Sequence, residues 1–518
     1  MRQGPSRSAK ASAGHVSLQW NAPVANGRPL ADGVLRMAAT TTNRPHPRLI
    51  LSVLALGGLA YAMLSSAVLP ALPTFQHALG ASETDTTWLL TAYLLAASVG
   101  TAIIGRLGDM YGKERMLLWT LVILAAGTLL SAVSSSLWVI VAGRFIQGAA
   151  GGIFPLAFGI VRDEFPRERV AGSIGLLSAI LGVGGGVGIV LAGLIIEHLN
   201  YHWLFWLPLI PTVLAALATW RFIPESPVRM PGRVNWLAAS LMTVGMSIVL
   251  IAISQTTAWG WGSPKTLGLL ALGLAVSAAW IAVEVRSSNP LIDMTMMRIR
   301  GVWTTNASAF LLGAGMYASF VVIPQIAQLP TSTGFGFGDS VVVAGLYLLP
   351  ATIGMTILGL YAGRISARFG SRTALLAGTA FTTASFALLA VAHSQPYQLL
   401  IAAGLMGVGV GLAFAALGNL IVQAVSPHQT GVASGMNTVM RTLGGALGGQ
   451  LSATFIAGHM AAGEPAVTGF TETFAMATGF LLLCLLAGWL VPRAPSVARD
   501  PQPVHGEAAG ASPEAAQA

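Results

Sequence analysis

Fourteen apolar runs, each long enough to cross a membrane, occupy the chain from Leu49 onward. They fall near residues 49–70, 88–105, 116–133, 137–161, 172–196, 203–220, 236–255, 266–283, 302–324, 341–362, 374–392, 397–422, 431–456 and 473–492. A run of about 20 apolar residues spans a hydrocarbon core of about 30 Å. Without water to bond the backbone, such a run must satisfy its own N–H and C=O groups, and a helix does so. Charged residues make up 9% of the 518 and hydrophobic residues 54%. This balance excludes a disordered chain, which needs high charge and low hydrophobicity, and a large soluble enzyme, whose surface carries far more charge. The expected fold class is an all-α polytopic membrane protein with 14 transmembrane helices.

The net charge of +9 forms no basic face and implies no nucleic-acid partner; its placement is an orientation signal. With the N-terminus cytoplasmic, the inner side receives the bases of the N-terminal segment and those of six further clusters, around Arg106–Arg115, Arg162–Arg169, Arg221–Arg233, Arg286–Arg300, Arg364–Arg372 and Arg493–Arg499. Lys265 alone falls outside, and Arg144 and Arg441 fall within helices. An even number of spans with both termini cytoplasmic gives this asymmetry, in a cytoplasmic inner membrane. Residues 1–47 and 493–518 are polar, with no signal-peptide core, and read as disordered cytoplasmic tails. Residues 1–36 read either as native chain or as an extension ahead of a start at Met37.

The loop after the second helix, Gly105-Arg106-Leu-Gly-Asp109-Met-Tyr-Gly112-Lys113-Glu-Arg115, aligns with the loop after the tenth, Gly363-Arg364-Ile-Ser-Ala-Arg-Phe-Gly370, at an offset of 258 residues. Duplicated halves are the mark of a secondary transporter with its site between them. The first loop resembles the signature of the major facilitator superfamily, G-x-L-x-D-x-x-G-[RK]-x-R. Arg144-Phe-Ile-Gln147-Gly148-Ala-Ala-Gly151 resembles the fourth-helix motif of its drug exporters, and Gly182-Val-Gly184-Gly185-Gly186-Val-Gly188 their glycine-rich antiporter motif. With fourteen helices, the chain resembles the drug:proton antiporter family of bacterial multidrug and antibiotic efflux. The resemblance implies two six-helix bundles, 48–221 and 301–492, joined by two linking transmembrane helices and loops at 222–300. It also implies gating by Asp109 and its loop, and a proton-relay role for Arg144. Two positions depart from the family pattern. Gly185 stands where the antiporter motif usually has proline, and Leu64 stands where the first helix usually has an aspartate before Ala71-Leu72-Pro73.

Beside the resemblance, the residues carry their own readings. Asp109 is either a gate carboxylate that pairs with arginine in one state or ordinary membrane-end charge. Arg144 lies about 10 Å deep at 1.5 Å per residue; a charge at that depth is functional by default, unless it snorkels to the interface or hydrogen-bonds to carbonyls. Gln147 shares its face at i+3. Arg441, with Asn437 at i−4, either lines a central cavity and meets an anionic or carbonyl-rich substrate or donates to backbone carbonyls. Gly182/Gly186, Gly184/Gly188, Gly444/Gly448 and Gly445/Gly449 form small-xxx-small seams. Ser82 and Asp85 have capping spacing. Asp163 and Glu164 are expected to pair with Arg162, Arg167 and Arg169. Cys484, the single cysteine, reads as a buried or lipid-facing thiol and excludes an internal disulfide.

No H-E-x-x-H, G-x-S-x-G or phosphate-cradling loop is present, so no enzyme, metal site or cofactor is expected and an ion gradient must drive transport. The expected function is export of amphipathic small molecules, as a monomer in the lipid bilayer; the resemblance implies exchange with protons, and sodium is the other ion left open. The alternative is a dedicated exporter of one endogenous metabolite. Every acid falls in a tail, a loop or a helix end, so no mid-membrane carboxylate is available to carry the proton.

Overall fold

The computed structural model describes residues 46–225, 234–461 and 464–493. The tails expected to be disordered, except for the residues nearest the helices, and Arg229 and Arg233 of the basic loops lie outside the described residues.

Among the described residues the chain forms a succession of long helices. The first, α1, is Pro47–Ala67, continued by a 3-10 turn at Leu69–Ala71 and by Leu72–Leu79. Then come α2 (Glu83–Tyr111), α3 (Lys113–Val133) and α4, whose parts Leu137–Ala149 and Ile153–Glu164 are joined by a 3-10 turn, Ala150–Gly152. They are followed by α5 (Arg167–His198), α6 (Trp203–Phe222), α7 (Trp236–Ser254), α8 (Pro264–Arg286), α9 (Arg300–Gln328) and α10 (Val341–Leu346 with Leu349–Phe369). The last are α11 (Ser371–Val391), α12 (Pro396–Ala424), α13 (Thr430–Gly458) and α14 (Val467–Leu490). Thirteen described segments are long and apolar enough to cross a membrane. The remaining long helix, α13, has 29 residues. It falls short on apolarity because Ser434, Asn437, Thr438, Arg441 and Thr442 interrupt it. That polarity marks a helix turned toward protein rather than lipid.

Local chemistry sets several ends. Ser82 Oγ accepts from Asp85 N (3.1 Å) and starts α2, as the capping spacing predicts. Single glycines at positive φ, Gly112 (108°) and Gly370 (85°), join α2 to α3 and α10 to α11; a side chain is strained in that region.

The helices pack as two six-helix groups. In the first, α1 packs on α5 and α6, α2 on α4, and α3 on α4 and α6. In the second, α9 packs on α13 and α14, α10 on α12, and α11 on α12 and α14. The groups meet along α2–α13 and α5–α10. Because α2 corresponds to α10 and α5 to α13 in the repeat, these are one contact made twice with the roles exchanged. The inserted helices α7 and α8 pack on each other, and α7 also leans on α2 and α13, over the first seam.

Glycine lets these seams close. On α5, Gly182 and Gly186 lie against Met355 and Thr352 of α10, while Gly184 and Gly188 lie against Ala62, Met63 and Ser66 of α1. On α13, Gly444 and Gly448 lie against the backbone of Phe310 and Ala314 in α9, and Gly445 lies under the Tyr317 ring. Gly185 and Gly449 face open space, with nothing within 4 Å of an added Cβ. Cys484 is buried, its Sγ donating to Ser308 O at 3.3 Å.

Candidate functional site

At the basic end, the two groups are tied by side chains that cap helix ends across the interface. Asp109, in the last turn of α2, is wholly buried. Its Oδ1 accepts from Gly431 N (3.2 Å) and its Oδ2 from Val432 N (3.0 Å), at the start of α13. An anion is favoured there because the first N–H groups of a helix lack partners and carry the positive end of its dipole. Lys113 Nζ stands 3.7 Å from Asp109 and 2.7 Å from Asp163, with all three side chains buried. Gly159 leaves the room that the Lys113 stem occupies. Arg162 does the converse at the end of α12: its guanidinium donates to Val425 O (2.8 Å), Ser426 O (3.2 Å) and Thr430 Oγ1 (2.7 Å), where free carbonyls welcome a cation. Gly105 lies against Gly431, and an added Cβ would meet Gly431 O at 2.5 Å. Gly363, its repeat counterpart, lies against Gly172 of α5.

Three expectations change here. Asp109 pairs with backbone amides and Lys113 rather than chiefly with an arginine; Arg106 lies nearby and is buried. Asp163 takes Lys113, and Arg162, while within electrostatic reach of Asp163, gives its hydrogen bonds to the other group, a role the sequence reading missed because nothing local identifies partners more than 260 residues away. Arg115 and Arg364, both expected at the gate, lie on exposed surface: Arg115 meets Glu225 at 3.1 Å and Arg364 lies over the Tyr361 ring.

Behind the gate, a cleft between the groups is lined by Phe154, Phe158, Ser178, Leu181, Phe414, Gly418, Ile421, Ser434, Asn437, Thr438 and Arg441. Its free volume is about 10 Å³, room for about one water. Arg144 does not snorkel; it is wholly buried. Its Nε donates to Leu89 O (3.1 Å), its Nη1 donates to Leu64 O (3.0 Å) and Gln147 Oε1 (2.8 Å), and its guanidinium lies 4.1 Å from the Tyr93 ring centre. Gln147 in turn donates to Ser131 Oγ at 3.4 Å. Gly148 brings α4 against the α2 backbone at Tyr93 and Ala97. Among the described residues no carbonyl accepts from Arg441; it lies 4.5 Å from the Phe414 ring centre and borders the cleft. Asn437 is held by α9, its Nδ2 donating to Asn306 Oδ1 (3.0 Å) and Thr305 O (3.4 Å).

The family model of the Major Facilitator Superfamily matches residues 54–234 and 305–516. The chain belongs to the major facilitator superfamily. The stretch between the two matched segments, 235–304, contains α7 and α8. Multidrug resistance protein 3 of Bacillus subtilis (strain 168) is 26% identical over 416 residues, covering 80% of each chain. The tetracenomycin C resistance and export protein of Streptomyces glaucescens is 28% identical over 421 residues, covering 79% of this chain and 76% of that protein. The solved structure of the proton:xylose symporter XylE superposes with a TM-score of 0.62 at 13% identity, covering 86% of this chain and 96% of that one; this likeness shows the fold. In this major facilitator chain the first-helix position that usually holds aspartate is Leu64, and its carbonyl accepts from Arg144. At Gly185, the position where the motif it resembles usually has proline, an added Cβ would meet nothing within 4 Å.

Proposed function

We propose that this chain is a secondary active exporter of amphipathic organic compounds in the cytoplasmic membrane, driven by proton entry, with its basic loops and both termini cytoplasmic. It works as a monomer and catalyses no chemical change. The bundles are residues 48–221 and 301–492, with 222–300 linking them. The observation that carries the reading is the capped seam at the basic end. Asp109 and Arg162 of one bundle hold helix ends of the other, and the cleft lies behind them. Such contacts exist in only one of two arrangements of the bundles, so they bias alternation between them. The conformation described here is closed at that end.

Asp109 is the acid whose ionisation the gate reads. As a carboxylate it accepts both amides of α13; protonated, it loses the charge that makes those bonds strong, and the gate opens. Gly105, Arg106, Gly112 and Lys113 shape that latch, Gly363 and Gly370 form its repeat counterpart, Gly182 and Gly186 keep the second seam tight, and Gly184 and Gly188 hold α5 against α1. Arg144, Gln147, Gly148, Asn437 and Arg441 belong to the substrate and coupling region.

Export into everted membrane vesicles, with and without an imposed pH gradient and across a panel of lipophilic compounds, tests the reading. Proton-dependent accumulation of at least one compound supports it; no accumulation under any pH gradient, or accumulation driven by sodium alone, overturns proton exchange.

A further inference from the structure

Two guanidinium groups, Arg144 and Arg441, lie within helices with no acidic partner among the described residues. All acceptors of Arg144 are neutral, namely the carbonyls of Leu64 and Leu89 and the amide of Gln147, and its Nη2 has no partner among the described residues although it is buried. Arg441, from the other bundle, rests on the Phe414 ring and borders the cleft. Arg441 lines the cleft between the bundles, whereas Arg144 is buried within the first bundle, outside that lining. Every described Asp and Glu lies at a helix end or in a loop. Leu64, which carries no charge, stands beside Arg144.

In a medium of low dielectric, an uncompensated cation repels another cation and attracts an anion far more strongly than it does in water. The remaining lining offers the ring faces of Phe154, Phe158 and Phe414, which suit a flat apolar body.

We infer that the cleft, when the bundles part, selects aromatic organic anions, compounds with a carboxylate or phenolate on a flat apolar body, whose negative group is received by Arg441. A permanently cationic drug of the same shape is disfavoured. This specificity rests on the export reading above, and its test is chosen to fail separately from it.

The test uses the full-length protein in detergent, with no gradient, and three fluorescent probes of one skeleton: 1-pyrenebutyrate, its methyl ester, and the corresponding pyrenebutyl-trimethylammonium. The butyrate is expected to bind saturably and at least about tenfold more tightly than the ammonium, the scale of one hydrogen bond to a charged group. Arg441→Gln is expected to bring the two within about twofold, whereas Arg441→Lys, which keeps the charge, retains most of the preference. Equal or tighter binding of the ammonium, absence of saturable butyrate binding, or an unchanged preference in Arg441→Gln overturns the inference. Should Arg441→Gln not fold, the wild-type comparison and Arg441→Lys still decide it. Proton-driven transport of the ammonium alone in vesicles would leave the export reading standing and remove this one. Butyrate-selective binding without any transport would do the reverse.

Discussion

Asp109 and Gly431, 322 positions apart in the chain, are joined by a buried hydrogen bond of 3.2 Å from the Gly431 amide to the Asp109 carboxylate. A charge-assisted bond of this kind contributes about 1.5–3 kcal/mol, comparable with the few kcal/mol that separate two conformations of one protein.

Asp109→Asn keeps one acceptor but places an NH2 against the second amide. The closed arrangement then loses about 1.5–3 kcal/mol, and export is expected to fall at least about tenfold with normal membrane levels. A cysteine at Ser434, behind the gate, reports the cause: it is expected to be alkylated faster from the gate side in Asp109→Asn. Background is low because Cys484, the one native cysteine, is buried. Unchanged labelling and export would remove the latch.

Gly105→Ala places a methyl group 2.5 Å from Gly431 O, overpacking that costs about 1–3 kcal/mol. Gly363→Ala meets Gly172 in the same way at the second seam, and both variants are expected to shift the protein toward the open arrangement. Gly185→Ala, with open space around it, is the control and should transport normally. A defect in Gly185→Ala equal to the other two would show that the glycines act otherwise than by close approach.

Arg162→Lys keeps the charge but cannot reach Val425 O, Ser426 O and Thr430 Oγ1 together, because its three donors share one nitrogen. Export is expected to drop several-fold. The double variant with Asp109→Asn should fall less than the product of the single effects, since both side chains act on one closed seam. Fully independent effects would argue against a shared gate.

Asp293, in the segment between α8 and α9, accepts from Gln429 Nε2 at 3.2 Å, just ahead of α13. Partial burial pushes its carboxyl up, but hydrogen bonds from Thr295, Met296 and Gln429 outweigh that and hold it below the usual aspartate value. A depressed carboxyl stabilises the fold above its unfolded pKa, about 3.9, and loses that contribution as pH falls through the folded value. The difference in melting temperature between wild type and Asp293→Ala should therefore be constant from about pH 8 to pH 5 and shrink below about pH 4. A difference that vanishes already between pH 7 and pH 5 would refute the assignment.

Much of this molecule is legible in the sequence for simple physical reasons. The length and apolarity of each run require a helix, because a lipid core offers the backbone no other partners. The alignment of Gly105–Gly112 with Gly363–Gly370 marks a duplication, and Gly112 and Gly370 mark joints at positive φ. The apolar run at 431–456 marks α13 as well, although its hydropathy falls short of the other spans. Partnership was not legible. Arg162 and Asp163 are adjacent and oppositely charged, yet one holds α12 of the other bundle and the other holds Lys113. Arg144 reads as a functional charge, a snorkelling side chain or a donor to carbonyls, and only the packing of α1 and α2 brings the Leu64 and Leu89 carbonyls to it. The sequence alone determined the membrane helices, the duplication and the confinement of acids to tails, loops and helix ends, since these depend on composition and spacing along one chain. Tertiary structure alone decided which charges meet, because helix-end carbonyls, amides and ring faces become partners only when helices remote in sequence pack together.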